Sequence, residues 1–172
     1  MSKLAFIFPG QGAQKAGMGK DFYENSEAAR SFFDNAQEIL DFDLKEMCFG
    51  EHEELNLTEY TQPCMVSVCL AIVQELKKRG INPDITAGLS LGEYAAVAAA
   101  GGMNELNAIK LVRRRGILMQ NTVPTGEGAM AAVLGLDAKK IEEILESFEN
   151  VWIANYNCPG QIVITGLTNE VK

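Results

Sequence analysis

At 172 residues, 47% apolar and 22% charged, the chain is long enough to bury a real core and too apolar to be disordered. A net charge of −8 argues against nucleic acid as the main partner, because phosphate neutralisation needs clustered Lys and Arg. No run of about 18 apolar residues occurs, so no membrane-spanning helix is expected; the four cysteines form no Cys-x-x-Cys pair, and no metal site is expected.

The opening MSKLAFIFPGQG has one Lys and an apolar run that stops at Pro9, too short for the core of a signal peptide, so a cytoplasmic protein is expected. Leu4 to Phe8, closed by Pro9-Gly10, reads as a strand buried on both faces. The Gly-rich loop that follows fails as a dinucleotide fingerprint, because the third glycine would fall at Lys15. It also fails as a phosphate loop, because the first glycine would fall at Gln14 and Asp21 replaces Ser or Thr. What survives is a set of exposed backbone N–H groups beside Gln11, as well suited to a plain tight turn as to holding an oxyanion. From Ser26, residues Ala29, Phe32, Phe33, Ala36, Ile39 and Leu40 recur at helical spacing. The one histidine, His52, sits in the acidic segment FGEHEELN and reads as a surface residue.

TEYTQPCMVSVCLAIVQELKKRG places Pro63 close to a helix start, then apolar residues almost all round, then Lys77-Lys78-Arg79 and Gly80, the pattern of a central helix. A short strand from about Asp84 to Ala87 runs through GLSLGEY into the small-residue helix EYAAVAAA. NELNAIKLVRRRGILMQ is another amphipathic helix, carrying Arg115. Pro124, Gly126 and Gly128 then break the helical pattern, placing a subdomain boundary near 124 that separates 1–124 from 125–172. Beyond it come the strand AMAAVLGL, the helix DAKKIEEILESF with Asp137 as N-cap, and two strands around the turn Cys158-Pro159-Gly160. TNEVK looks like the first turn of another helix. A β-α-β-β order that ends on entering a helix is two thirds of a split β-α-β fold.

Gly88-x-Ser90-x-Gly92 stands between strand and helix, the setting that exposes a serine hydroxyl at a sharp turn. The pattern alone arises by chance in about one such chain in twenty, so its context carries the weight. The N–H of Leu91, at a helix N-terminus, favours an oxyanion. A structural turn with a capping Ser fits the same residues. No local pattern ties His52 to Ser90, which counts against a self-sufficient hydrolase. Arg115 reads equally as one of three arginines on a solvated helix face.

Taken together, Phe8-Pro9-Gly10-Gln11-Gly12, Thr61-Gln62-Pro63, Gly88 to Tyr94, Arg114-Arg115-Gly116 with Met119-Gln120, Gly128 to Ala132 and Asn155 to Gln161 occur in one order and spacing across nearly the whole chain. In this the chain resembles the malonyl-CoA:acyl-carrier-protein transacylases and the acyltransferase domains of fatty-acid and polyketide synthases. The resemblance implies an α/β fold: an α/β-hydrolase-like large subdomain (1–124 being its N-terminal part) with a ferredoxin-like (β-α-β-β-α-β) small subdomain inserted, of which 125–172 is the first part. It implies ping-pong transfer of malonyl from malonyl-CoA through Ser90 to the phosphopantetheine thiol of acyl carrier protein, with no cofactor of the enzyme's own. By position, Ser90 is the nucleophile, the N–H groups of Gln11 and Leu91 form the oxyanion hole, Arg115 holds the malonyl carboxylate, and Gln62 walls the site.

Two departures stand out. Leu89 takes the place where the family usually has His. The family's catalytic histidine lies roughly a hundred residues beyond the serine, past Lys172, so the sequence resembles the N-terminal half or so of such an enzyme, monomeric when complete. The alternatives are a non-catalytic piece that binds a carrier protein or a complementary chain, and an ordinary serine esterase, which Arg115 disfavours. The acidic carrier calls for a basic docking patch, and Lys77 to Arg79 is the candidate.

Overall fold

A computed structural model describes residues 3–124 and 126–172. The chain divides into two compact units, Met1–Gln120 and Asn121–Lys172, in an α/β architecture.

In the first unit, β1 (Ala5–Phe8) and β2 (Ile85–Gly88) pair in parallel, Ala5 opposite Ile85 and Phe8 opposite Gly88. Between them in sequence come α1 (Lys20–Asn25), α2 (Glu27–Gln37), α3 (Leu44–Phe49), a 3-10 turn over Glu53–Asn56, and α4 (Thr58–Lys78). After β2 come α5 (Gly92–Ala99) and α6 (Glu105–Thr122). The core follows the helical spacing. α2 is capped by Ser26, whose hydroxyl accepts from the Ala29 N–H, and it buries Ala29, Phe32, Phe33 and Ala36. These meet α4, which is buried nearly all round through Cys64, Met65, Val66, Leu70, Ala71 and Val73.

The expectation of a first strand buried on both faces is corrected. Phe6 and Phe8 pack on the core, but Ile7 is 79% exposed and Ala5 and Ile85 are exposed beside it. In a parallel pair, residues opposite one another share a face, so this is one uncovered row, with no element packed over it among the described residues. An apolar run records what a strand tolerates, not how many of its faces are covered.

Pro63 also departs from expectation. α4 begins at Thr58, so the proline lies inside the helix rather than at its start. Proline has no N–H for the carbonyl four residues back, which leaves the Glu59 oxygen without its helical donor. Arg113 of α6 fills the gap, donating from Nη1 to the Glu59 oxygen at 2.8 Å. α1 and α3 were not foreseen. Each has six residues, but α3 had a signal in Asp43-x-x-Glu46, since Asp43 caps it by accepting from the Glu46 N–H.

In the second unit, β3 (Gly128–Leu134), α7 (Ala138–Leu145), β4 (Val151–Cys158) and β5 (Gln161–Leu167) precede the short α8 (Thr168–Val171). The sheet is antiparallel in the order β3-β5-β4. Asp137 caps α7 from the Lys139 N–H, as the sequence implied. Among the described residues, no helix is long and apolar enough to cross a membrane.

Candidate active site

β2 ends at Gly88 and α5 begins at Gly92, so the chain reverses from strand to helix within three residues. Ser90 takes that turn at φ +49°, the only positive φ of a non-glycine residue among those described. Such a backbone costs of order 1–3 kcal/mol and persists only where its surroundings impose it. The two glycines supply the means. A Cβ on Gly88 would stand 2.1 Å from the Gly92 carbonyl carbon, and one on Gly92 would stand 2.3 Å from the Phe8 oxygen. Ser90 is exposed, and among the described residues its hydroxyl makes no hydrogen bond. Leu91, 1% exposed, anchors the turn in the core, whereas Leu89 is 57% exposed.

The loop after β1 packs onto this turn. Leu89 N–H donates to the Phe8 oxygen at 3.1 Å, and a Cβ on Gly10 would lie 2.9 Å from the Leu89 oxygen. Gln11 is therefore the next residue along a loop held against the serine turn. Among the described residues, the N–H groups of Gln11 and Leu91 donate no hydrogen bond. Unpaired main-chain donors beside an exposed hydroxyl are the components an oxyanion site requires.

The three arginines of α6 have different fates. Arg113 is committed: it meets both Asp41 oxygens at 2.8 and 2.9 Å and Glu59 Oε2 at 3.1 Å, and it lies against the edge-to-face pair of Phe42 and Tyr60. Its hydrogen bonds pull the Asp41 carboxyl below the usual carboxylate range. Arg114 is exposed. Arg115 turns inward, donating from Nη1 to Gln62 Oε1 at 2.7 Å, with its guanidinium carbon 5.6 Å from the centroid of the Tyr94 ring. Among the described residues, no carboxylate lies within 4.0 Å of it. Gln62 is fully buried, and its Nε2 donates to the Met119 sulfur at 3.3 Å. Close backbone approach makes the pairing possible. A Cβ on Gly116 would be 2.7 Å from the Thr58 oxygen, so α6 lies nearly in backbone contact with the start of α4.

Of the residues singled out in the sequence, Arg115 and Gln62 are thus in direct contact, and Gln11 stands beside the Ser90–Leu91 turn. His52 is held elsewhere, with Nε2 3.0 Å from Glu46 Oε1. The proposed docking patch finds no support: Lys77, Lys78 and Arg79 are each paired to a glutamate, at Glu105, Glu27 and Glu75. Sequence reasoning missed Tyr94 and Thr58 as neighbours of the site. Tyr94 had a signal, since it lies four residues after Ser90 on the helix the turn begins. Among the described residues, no group of three His, Cys, Asp or Glu side chains is placed to hold a metal ion.

Residues 5–172 match the acyl transferase domain family. The chain is 48% identical to the malonyl CoA-acyl carrier protein transacylase of Bacillus subtilis (strain 168), an alignment covering 100% of this chain and 56% of that protein. The crystal structure of malonyl CoA-acyl carrier protein transacylase from Clostridium perfringens superposes with a TM-score of 0.89 at 45% identity, over 97% of this chain and 54% of that one. A malonyl-transacylase solved in complex with its type II PKS acyl-carrier protein also superposes at 0.89, with 39% identity over 99% of this chain and 57% of that one. The chain spans about half the length of the relatives it matches. On the match over residues 5–172 and these identities, the chain belongs to the acyl transferase domain family.

Proposed function

We propose that this chain carries the nucleophile, oxyanion donors and acyl-carboxylate clamp of a malonyl-CoA:acyl-carrier-protein transacylase serving fatty-acid synthesis. The observation that carries the reading is Arg115, a cation on the Tyr94 face held by a neutral amide, with no carboxylate among the described residues neutralising it. A site for neutral esters has no use for such a guanidinium, whereas an acyl group ending in a free carboxylate requires one.

Ser90 Oγ attacks the thioester carbonyl of malonyl-CoA and loses its proton to a base. The negative charge on the carbonyl oxygen is met by the N–H groups of Gln11 and Leu91. The C–S bond breaks, coenzyme A leaves as its thiol with that proton, and malonyl remains as an ester on Ser90. The phosphopantetheine thiol of the carrier then attacks the ester, the C–O bond breaks and the proton returns to Ser90. The base is the histidine that the family resemblance places beyond Lys172. Residues 1–124 are read as the N-terminal part of the α/β-hydrolase-like subdomain and 125–172 as the first part of the inserted ferredoxin-like one. The β3-β5-β4 order, with α7 connecting β3 to β4 in the chain, supports this, since it is the partial strand order of a split β-α-β sheet. We read the complete protein as cytoplasmic, monomeric and free of a cofactor of its own.

The test is to incubate the full-length protein with malonyl-CoA and map the adduct by peptide mass spectrometry. A malonyl group on the peptide containing Ser90 is expected; an unmodified serine overturns the reading.

Gln62→Glu probes the neutrality of the clamp. A carboxylate at this position would face Arg115 at hydrogen-bond distance. An ion pair near 4 Å is worth about 4 kcal/mol at an effective dielectric of 20, enough to fill the clamp in place of malonyl. KM for malonyl-CoA should rise at least ~10-fold while acetyl transfer changes far less. Steady-state kinetics with both thioesters decides it, and equal changes would contradict the role.

A further inference from the structure

We propose that Thr58 is a positioning residue for the transfer, holding the loop that presents the Gln11 N–H in register with the helix that presents Arg115. The inference rests on the roles of Gln11 and Arg115 proposed above and deepens them. Thr58, the first residue of α4, faces both elements at once. Its side-chain oxygen accepts from Gln11 Nε2 at 3.0 Å, and its N–H donates to Gln120 Oε1 of α6 at 2.9 Å. Its carbonyl oxygen lies where a Cβ on Gly116 would come within 2.7 Å, one residue after Arg115. A second tie holds the same loop to the same segment: Gly12 N–H donates to Gln14 Oε1 at 2.8 Å, and Gln14 Nε2 donates to Asn56 Oδ1 at 3.1 Å.

The geometry gives this arrangement a purpose. An oxyanion donor acts only when it sits about 2.7–3.1 Å from the position the charged oxygen will reach, and a misplacement of about 1 Å can cost ~100-fold. The loop after β1 is exposed at Gln11, Gly12 and Ala13, so burial does not fix it there. Polar ties must do so, and the Gln11 side chain makes its tie at Thr58. Because the thioester oxygen gains its charge only on the way to the tetrahedral state, loosening the donor should affect turnover more than ground-state binding.

The test is Thr58→Val in the full-length protein, which keeps the side chain's shape and the N–H bond to Gln120 of α6 but removes the acceptor for Gln11. The expected result is a fall of ~10-fold in kcat for transfer from malonyl-CoA to acyl carrier protein, with KM for malonyl-CoA changed by less than about twofold. Thr58→Ser, which restores the oxygen, should recover the wild-type rate. Gln11→Leu removes the other end of the same bond and should show the same split, and the double variant should lose no more than either single one. If Thr58→Val does not fold, Gln11→Leu carries the test alone. Wild-type turnover in the variants, or losses that multiply in the double variant, overturns the positioning role. The Ser90 adduct is measured on wild-type protein from the same preparation. An adduct together with unaffected variants removes only this inference, whereas no adduct removes the underlying reading and this one with it.

Discussion

Ser90→Ala should lower malonyl transfer by ~10⁴-fold or more and erase the covalent adduct. The size of the loss follows from covalent catalysis: without the hydroxyl the reaction cannot be split into two easier displacements, and what survives is binding and oxyanion stabilisation of direct thiol attack. The variant should fold, because Ala and Ser meet the same backbone penalty at φ +49°. Ser90→Gly extends the test in a way a merely structural serine would not pass. Glycine adopts this backbone freely, so the variant should gain about 1 kcal/mol of stability while losing activity as completely as the Ala variant. Chemical denaturation and intact-mass analysis after exposure to malonyl-CoA check both halves. A persistent adduct in Ser90→Ala would move the nucleophile elsewhere, and unchanged stability in Ser90→Gly would mean that the turn stores no strain.

Arg115→Ala should cost malonyl transfer ~10²–10³-fold in kcat/KM while reducing acetyl transfer only a few-fold. Truncating one partner of a hydrogen-bonded charge pair costs about 2–5 kcal/mol, and only malonyl supplies the second charge. Arg115→Lys should fall between, since the ammonium keeps the charge but loses the planar fork, and the Gln62 oxygen would compete for its protons. The comparison must use both acyl groups on one preparation, so that any fold defect affects them equally. Equal losses for malonyl and acetyl would show that Arg115 supports the structure of the site and not the substrate's carboxylate.

Some of this organisation was legible in the residues and some was not, for identifiable reasons. The serine turn could be read because its constraint is local: Gly88 and Gly92 are the spacing at which a Cβ would strike main chain, and the pattern records that clash. The core face of α2 could be read because its period is local too. The choice among Arg113, Arg114 and Arg115 could not, because it depends on partners far away in sequence. Asp41 and Glu59 claim Arg113, and Gln62 claims Arg115, each across more than fifty positions. The same holds for Thr58, whose side chain gave no hint that Gln11 would meet it 47 residues away. Ile7 was misread for a different reason, because apolar character is local while the covering of a face is not. Leu89 shows the reverse: its side chain is exposed, while its N–H donates to the Phe8 oxygen and its carbonyl accepts from the Gly92 N–H, so the bonds made at this position are main-chain ones.

The Gln62–Arg115 cradle has a consequence for how rates should vary with proton concentration. A carboxamide neither gains nor loses a proton, so Gln62 adds no ionisation of its own beside Arg115. The Gln62 side of the pairing therefore keeps the same charge at every pH. On the proposed reading, a plot of kcat/KM for malonyl-CoA against pH should therefore carry no inflection from Gln62, and the group that takes the Ser90 proton is read with one ionisation fewer. A glutamate in place of Gln62 would have mixed a second ionisation into the same curve.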